Sequence, residues 1–331
     1  MKMLNLPTYA ALFALVFLLT VLFEARLLPY LRKKRAAQPI LEIGPSWHLK
    51  KSGTPTMGGL AFVGSITLSL AVLFSLLAVR GAADFWQAPT LLLGFSLAVA
   101  AIGFYDDYCK LKKKQNKGLG AAEKYFLQLL ASGVFLFLLV EGDFVTTAVL
   151  LPFSGGELEL GFFYYPLALL YLTGLVNALN LTDGVDGLLG STVGVVAVFF
   201  LLIGLRAGEE MLALFGVLLR GGALGFLLFN AHPAKIFMGD TGSLFLGAVV
   251  AGAGLLSARP IFVLIVGGVY LIEAASVMLQ VVYFKLSGGK RLFLMAPLHH
   301  HFEKKGFGEN KIVAIFSLVT AALGVVAYWG C

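Results

Sequence analysis

Long apolar runs, separated by short polar stretches or by glycine and proline, follow one another along the chain near 5–28, 57–79, 89–105, 125–140, 165–181, 187–205, 211–229, 242–257, 260–284 and 311–329. Each comes close to the ~20 residues that a helix needs to cross the ~30 Å hydrocarbon core of a bilayer. The pattern predicts an all-α integral membrane protein with about ten transmembrane helices, in a single polytopic domain over residues 1–331.

Two stretches depart from that pattern. Residues 144–163, FVTTAVLLPFSGGELELGFF, combine β-branched residues with period-two alternation on either side of Ser154-Gly155-Gly156. Such a segment predicts a small β-hairpin. The run at 260–284 carries Gly267-Gly268 in its interior, and as a straight helix it would reach ~38 Å, longer than the hydrocarbon core. A bent or strongly tilted helix is expected there, helping to open a groove beside it.

Composition removes the soluble alternatives. Of the 331 residues 59% are hydrophobic and only 13% charged, against about 25% charged in a soluble domain. The 39 glycines suit close helix–helix approach in a membrane. Two cysteines, Cys109 and Cys331, make no disulfide framework.

A net charge of +7 raises the question of nucleic acid, but the basic residues fall in short clusters between apolar runs. That is the distribution of loops facing a cytoplasm, so no nucleic-acid partner is expected. Lys2 precedes the first run and Arg32, Lys33, Lys34 and Arg35 follow it, the reverse of a secretory signal. The first run is therefore read as a retained span with its N-terminus outside. Loops 30–56, 106–124, 182–186, 230–241 and 285–310 then face the cytoplasm, with most of the 25 lysines and arginines. Both termini and the hairpin lie on the outer side.

Asp106, Asp107, Asp183, Asp186 and Asp240 all fall at cytoplasmic ends of expected spans, as do Asn177, Asn180, Asn230, His299, His300 and His301. A carboxylate at the centre of a membrane helix costs roughly 2.5–3.5 kcal/mol. Five of them at one boundary point to a shared polar site, which needs cations to offset its charge. In NALNLTDGVDGLLG, residues 177–190, steps of three residues rotate by about 60° on a helix, so a continuous helix could not aim all four polar side chains at one point. The Asp-Gly steps predict an end near Thr182 and a reversal that lets them converge, with Asp186 or Thr182 capping the next span.

Asp240, in IFMGDTGSLFLG, opens a span and reads either as its N-cap or as an oxygen ligand for a hard cation. The D-T-G-S string occurs once and opens an apolar helix, unlike the paired copies of aspartic proteases. Asp106 and Asp107 precede five lysines in YDDYCKLKKKQNKG, as a charged span end or as part of the site. The histidines of PLHHHFEKKG could take a soft metal or phosphate, but oxygen ligands dominate elsewhere and favour Mg²⁺. KKSGTPTMGGLAF, with Lys50 and Lys51, resembles a phosphate-binding loop without the Walker spacing.

GTPTMGG, YDDY, NALNLTDGVDGL, FNAHPAKIFMGDTGS and APLHHHFEKKG occur in this order across the spans. In these motifs, essentially end to end, the chain closely resembles the bacterial phospho-N-acetylmuramoyl-pentapeptide transferases of the polyprenyl-phosphate N-acetylhexosamine-1-phosphate transferase superfamily. The resemblance implies transfer of a phospho-sugar from UDP-N-acetylmuramoyl-pentapeptide to undecaprenyl phosphate in the bacterial cytoplasmic membrane, giving lipid I and UMP. It also implies Mg²⁺ dependence and a homodimer.

On the same ground Asp240 is the strongest Mg²⁺ ligand, and Asp106 and Asp107 bind metal or deprotonate the lipid phosphate. Asp183, Asn180 and Asn230, with Asn177, position the nucleotide diphosphate. Asp186 and Phe237 hold uracil, and Lys51 and Lys124 contact phosphate. His299, placed among the catalytic residues, orients the diphosphate or lipid phosphate together with His300 and His301. Direct attack by the lipid phosphate and a covalent aspartyl intermediate both stay open. The alternatives are a sister enzyme using UDP-N-acetylglucosamine and, in another class, a secondary transporter with polar residues in broken helices.

Overall fold

The computed structural model describes residues 4–34, 51, 53–79, 86–113 and 118–331. Lys50, Arg35 and the lysines at 114 and 117 of the basic loops lie outside the described residues. Twelve α-helices and two short strands are described, and ten of the helices are long and apolar enough to span a membrane. The protein is an all-α, multi-pass membrane protein.

The first helix, α1 (Leu6–Lys33), is followed by α2 (Gly59–Ala78), α3 (Gln87–Lys113) and α4 (Ala121–Glu141). A hairpin of β1 (Ala148–Leu150) and β2 (Glu157–Glu159) comes next, antiparallel, with Val149 opposite Leu158. Then follow α5 (Tyr164–Thr182), α6 (Leu188–Ala207), α7 (Glu210–Asn230) and α8 (Gly239–Leu256). The chain closes with α9 (Pro260–Val266), α10 (Gly268–Leu286), α11 (Leu298–Lys304) and α12 (Glu309–Trp329). Nine of the ten expected runs recur as single helices, with ends shifted by up to eight residues, and the hairpin forms around the expected turn.

Helix α8 is the axis of the bundle and is mostly buried, while α1 and α10 turn large apolar side chains outward. In lipid such outward faces cost nothing, so burial here reports packing rather than hydrophobic drive. Helices α3 and α5 both pack on α8. The crossing of α3 on α8 depends on Gly103, where a Cβ would stand 2.3 Å from the carbonyl oxygen of Asp240. That contact brings the polar end of α3 onto the first turn of α8.

The run at 260–284 is not one bent helix. It is interrupted at Gly267 (φ −85°, ψ 15°), with α9 packed on α8 and α12, and α10 leaving the bundle with Met278, Val281, Val282 and Phe284 exposed. Beside the break an apolar cavity of about 490 Å³ is lined by Leu167, Leu170 and Tyr171 of α5 and by Ile261, Leu264 and Leu271. The residues after α10, expected as loop only, include the short helix α11.

Both described chain ends share the hairpin's end of the bundle. The amide of Phe153 in the hairpin turn donates to the carbonyl of Gly330, and Leu4 donates to Glu210 at the start of α7. Both cysteines are free. The ends of α3, α5, α7 and the starts of α4, α6, α8 gather at the opposite end of the bundle, where the acidic residues lie.

Candidate active site

The first turn of α8 has no side-chain cap from its own strand of sequence, since Met238 occupies the cap position. The missing acceptor comes from α3. Asp107 Oδ1 accepts from the backbone N–H of Asp240 at 3.1 Å, and Oδ2 accepts from the N–H and the hydroxyl of Thr241 at 2.9 and 2.8 Å. A carboxylate here also meets the positive end of the helix dipole. Asp240 is therefore not the N-cap that its position in the sequence allows; its side chain is left for other partners.

Those partners are cations and an amide. Asp240 Oδ2 lies 2.9 Å from Lys110 Nζ and 2.8 Å from Lys124 Nζ, and Oδ1 accepts from Asn180 Nδ2 at 2.9 Å. Asp106 lies 2.5 Å from Lys110 and accepts from the amide of Leu119 at 2.7 Å. Carboxylate oxygens of Asp106, Asp107 and Asp240 come within 4.8 Å of one another. Three carboxylates against two lysines leave a negative balance in an all-oxygen donor set, which fits a hard divalent cation. Lys110 was not singled out from the sequence, although its place one turn after Asp106 is the spacing of a helical ion pair.

Next to this cluster a pocket of about 230 Å³ is lined by Lys51, Thr56, Asp107, Asp183 to Asp186, Phe237, Gly239 and Asp240. Helix α5 ends at Thr182, as expected, with Asp183 at its C-cap. Burial, and then the neighbouring Asp240, Asp107 and Asp186, push the Asp183 carboxyl up to about 8. Asp186 does not cap α6, and neither does Thr182, whose hydroxyl turns back to Ala178. Gly187 holds the cap position, and its N–H donates to Asn230 Oδ1 at 3.0 Å.

Asp186 is instead saturated by a network on the pocket wall. Lys51 Nζ lies 2.7 Å from Asp186 Oδ1 and 2.7 Å from Glu309 Oε2, while Asp186 Oδ2 meets His232 Nδ1 and the amide of Ala234, each at 3.0 Å. Glu309 also accepts from the amide of Asp186 at 2.9 Å. Glu309 and His232 escaped the sequence reading, because a glutamate opening a distant span carries no local signal of its partner.

Several expected site residues face elsewhere. Asn177 donates to Gln128 on α4 and to its own helix at Thr173, away from the pocket. Asn230 spends both ends of its amide on backbone, at Gly187 and Ile236, and so braces two turns. The three histidines diverge. His299 is buried against Glu273 of α10, His300 pairs with Glu303, and His301 accepts from the amide of Leu294 on the outer side of α11. Partial burial and then Lys305 hold the His301 imidazole below its ordinary pKa.

Comparison with known proteins gives the family of the chain. The model of glycosyl transferase family 4 matches residues 89–258, a span that contains Asp106, Asp107, Asp183, Asp186 and Asp240. Residues 51–63, from Lys51 through the turn into α2, match phospho-N-acetylmuramoyl-pentapeptide-transferase signature 1. Among curated relatives, a phospho-N-acetylmuramoyl-pentapeptide-transferase of Clostridium beijerinckii is 45% identical over 314 residues, covering 94% of this chain and 93% of its own. Those of Clostridium kluyveri and Clostridium botulinum are 41% and 40% identical, each over 97% of this chain and 98% and 96% of their own.

Proposed function

The chain belongs to the phospho-N-acetylmuramoyl-pentapeptide transferases, membrane phospho-sugar transferases of peptidoglycan synthesis, and we propose that it moves phospho-N-acetylmuramoyl-pentapeptide from its UDP donor to undecaprenyl phosphate. The products are lipid I and UMP. The observation that carries this reading is the convergence of Asp106, Asp107 and Asp240 with Lys110 and Lys124, beside a pocket walled by Asp183, Asp186, Lys51 and Phe237. Two phosphate-bearing substrates repel each other, and this is a site able to hold both.

Lys110 and Lys124 neutralise phosphate oxygens of the donor as it enters. Asn180, hydrogen-bonded to Asp240 and to Ser243, keeps the metal-side carboxylate in register. Phe237, Asp186 and Lys51 form the wall against which the uracil ring lies. Asp106, Asp107 and Asp240 would hold Mg²⁺, which would supply positive charge against the diphosphate. A lipid phosphate oxygen attacks the phosphorus that bears the sugar, and the bond from that phosphorus to the bridging oxygen breaks, so that UMP leaves with the oxygen.

The apolar cavity beside α9 and the exposed face of α10 together suit the polyprenyl chain. Residues 1–331 act as one catalytic domain, as a homodimer, in the bacterial cytoplasmic membrane with the acidic end facing the cytoplasm. The test is UMP release from UDP-N-acetylmuramoyl-pentapeptide on addition of undecaprenyl phosphate and Mg²⁺. UDP-N-acetylglucosamine should not replace the donor, and a transporter would release no UMP with either.

A further inference from the structure

We propose that Glu273 is a positioning residue which, through His299, sets the turn carrying Asp183 and Asp186 and thereby the grip on the nucleotide half of the donor. The inference rests on the function proposed above for the identity of the donor. It rests on side-chain geometry for everything else.

Helix α10 turns most of its surface outward, yet Glu273 on it is fully buried. Its two oxygens are both used on one residue. Oε1 accepts from the backbone N–H of His299 at 3.1 Å, and Oε2 meets His299 Nδ1 at 2.9 Å. A carboxylate only accepts, so Nδ1 carries a proton. The imidazole is thus fixed in position and angle by a single glutamate, and His299 is itself 1% exposed.

The far side of the ring faces Gly184. His299 Nε2 is buried and has no hydrogen-bond partner among the described residues. It occupies the place of a side chain at residue 184, since a Cβ there would stand 2.2 Å from Nε2 and 2.8 Å from Cε1. Gly184 lies between Asp183 and Asp186 on the pocket wall. The ring edge therefore bears on the backbone of the turn rather than opening into the pocket. The contact runs from α10 through Glu273 and His299 to Gly184, and it joins the helix that leaves the bundle to the turn that holds the donor.

A histidine acting on the reacting phosphates would change turnover and leave nucleotide affinity alone. A strut under the turn does the opposite, because a small displacement of Asp183 and Asp186 weakens their hold on the nucleotide. The test uses the full chain in detergent or nanodiscs, with UMP as the binding probe and UDP-N-acetylmuramoyl-pentapeptide with undecaprenyl phosphate as substrates. Glu273→Gln, Gly184→Ala and His299→Ala are each expected to weaken UMP binding and raise the donor KM by at least ~10-fold, with a smaller fall in kcat. Melting temperature and size-exclusion profile check that each remains folded.

The decisive readout is non-additivity. With His299→Ala in place the added Cβ meets no ring, so Gly184→Ala should cost no further UMP affinity, and Glu273→Gln should likewise add nothing. Losses that multiply in either pair overturn the proposal, as does a Glu273→Gln protein that loses kcat while keeping UMP affinity and donor KM. If the unaltered protein binds UMP but releases none from the donor, the proposed reaction fails while the binding cycle still judges the strut.

Discussion

Asp107 and Thr241 sit 134 positions apart in the sequence and are joined by two hydrogen bonds, from the N–H and the hydroxyl of Thr241 to the same carboxylate oxygen. Through them α3 supplies the cap of α8 and orients Asp240 in the first turn. Replacing Asp107 by Ala removes the cap and is expected to destabilise the protein by ~1 kcal/mol, within the range seen for caps. Asp107→Asn, which keeps one acceptor oxygen, should lie between. Thermal unfolding in detergent measures both, and equal melting temperatures for all three proteins would contradict the capping role.

Asp240→Asn should behave differently, because Asp240 is not the cap. The amide keeps the shape but removes the charge that Lys110, Lys124 and a cation meet. Turnover is expected to fall at least ~10²-fold, a deficit of roughly 2.7 kcal/mol, with little change in melting temperature. Raised Mg²⁺ should recover part of the loss. Near-normal turnover at ordinary Mg²⁺ would remove Asp240 from the metal site.

The Asp183 carboxyl, held up at about 8 by burial and by Asp240, Asp107 and Asp186, carries a proton at neutral pH in the metal-free protein. An unfolded chain releases that proton near 3.9. The stabilisation from this group is therefore full below pH ~4 and is lost as pH rises through about 8. A cation beside the cluster lowers the same pKa, so its binding expels a proton and tightens as pH rises toward 8. The Mg²⁺ concentration for half-maximal activity should fall as pH rises over the ~2 units below about 8, and Asp183→Asn should flatten that dependence.

The polar end and the hairpin end of the bundle should label from opposite sides. In a protein with Cys109 and Cys331 replaced, Lys290→Cys follows α10 and Ser154→Cys lies in the hairpin turn, both exposed. In sealed, right-side-out vesicles an impermeant thiol reagent is expected to reach Ser154→Cys only. Labelling of both, or of Lys290→Cys alone, would reject the orientation with the acidic end in the cytoplasm.

Lys51 lies between Asp186 and Glu309, whose side chains are 4% and 11% exposed. Lys51→Met leaves two nearly buried carboxylates facing each other without their shared cation, and His232 alone beside them. The donor KM should rise by at least ~10-fold, and Glu309→Gln in that background should recover part of it by removing the repulsion. No recovery, or an unchanged KM, would place uracil recognition elsewhere.

The spans, the hairpin and the gathering of acids at one end follow from the sequence alone, for a physical reason. A bilayer demands ~20 apolar residues per helix and penalises each misplaced charge, so hydropathy and turn residues write these features locally. The end of α5 at Thr182 was legible in the same way, from the Asp-Gly steps. What each polar side chain touches was not. The Asp107 cap on α8, Glu309 on Lys51, Glu273 under His299 and the turning of Asn177 toward Gln128 all join helices distant in sequence. Hydrogen bonds of that kind depend on rotation of one helix against another, which period and composition leave open. Even the break at Gly267 was only half written, since two adjacent glycines permit a bend, while the packing of α9 on α8 and α12 turns it into an interruption that frees α10.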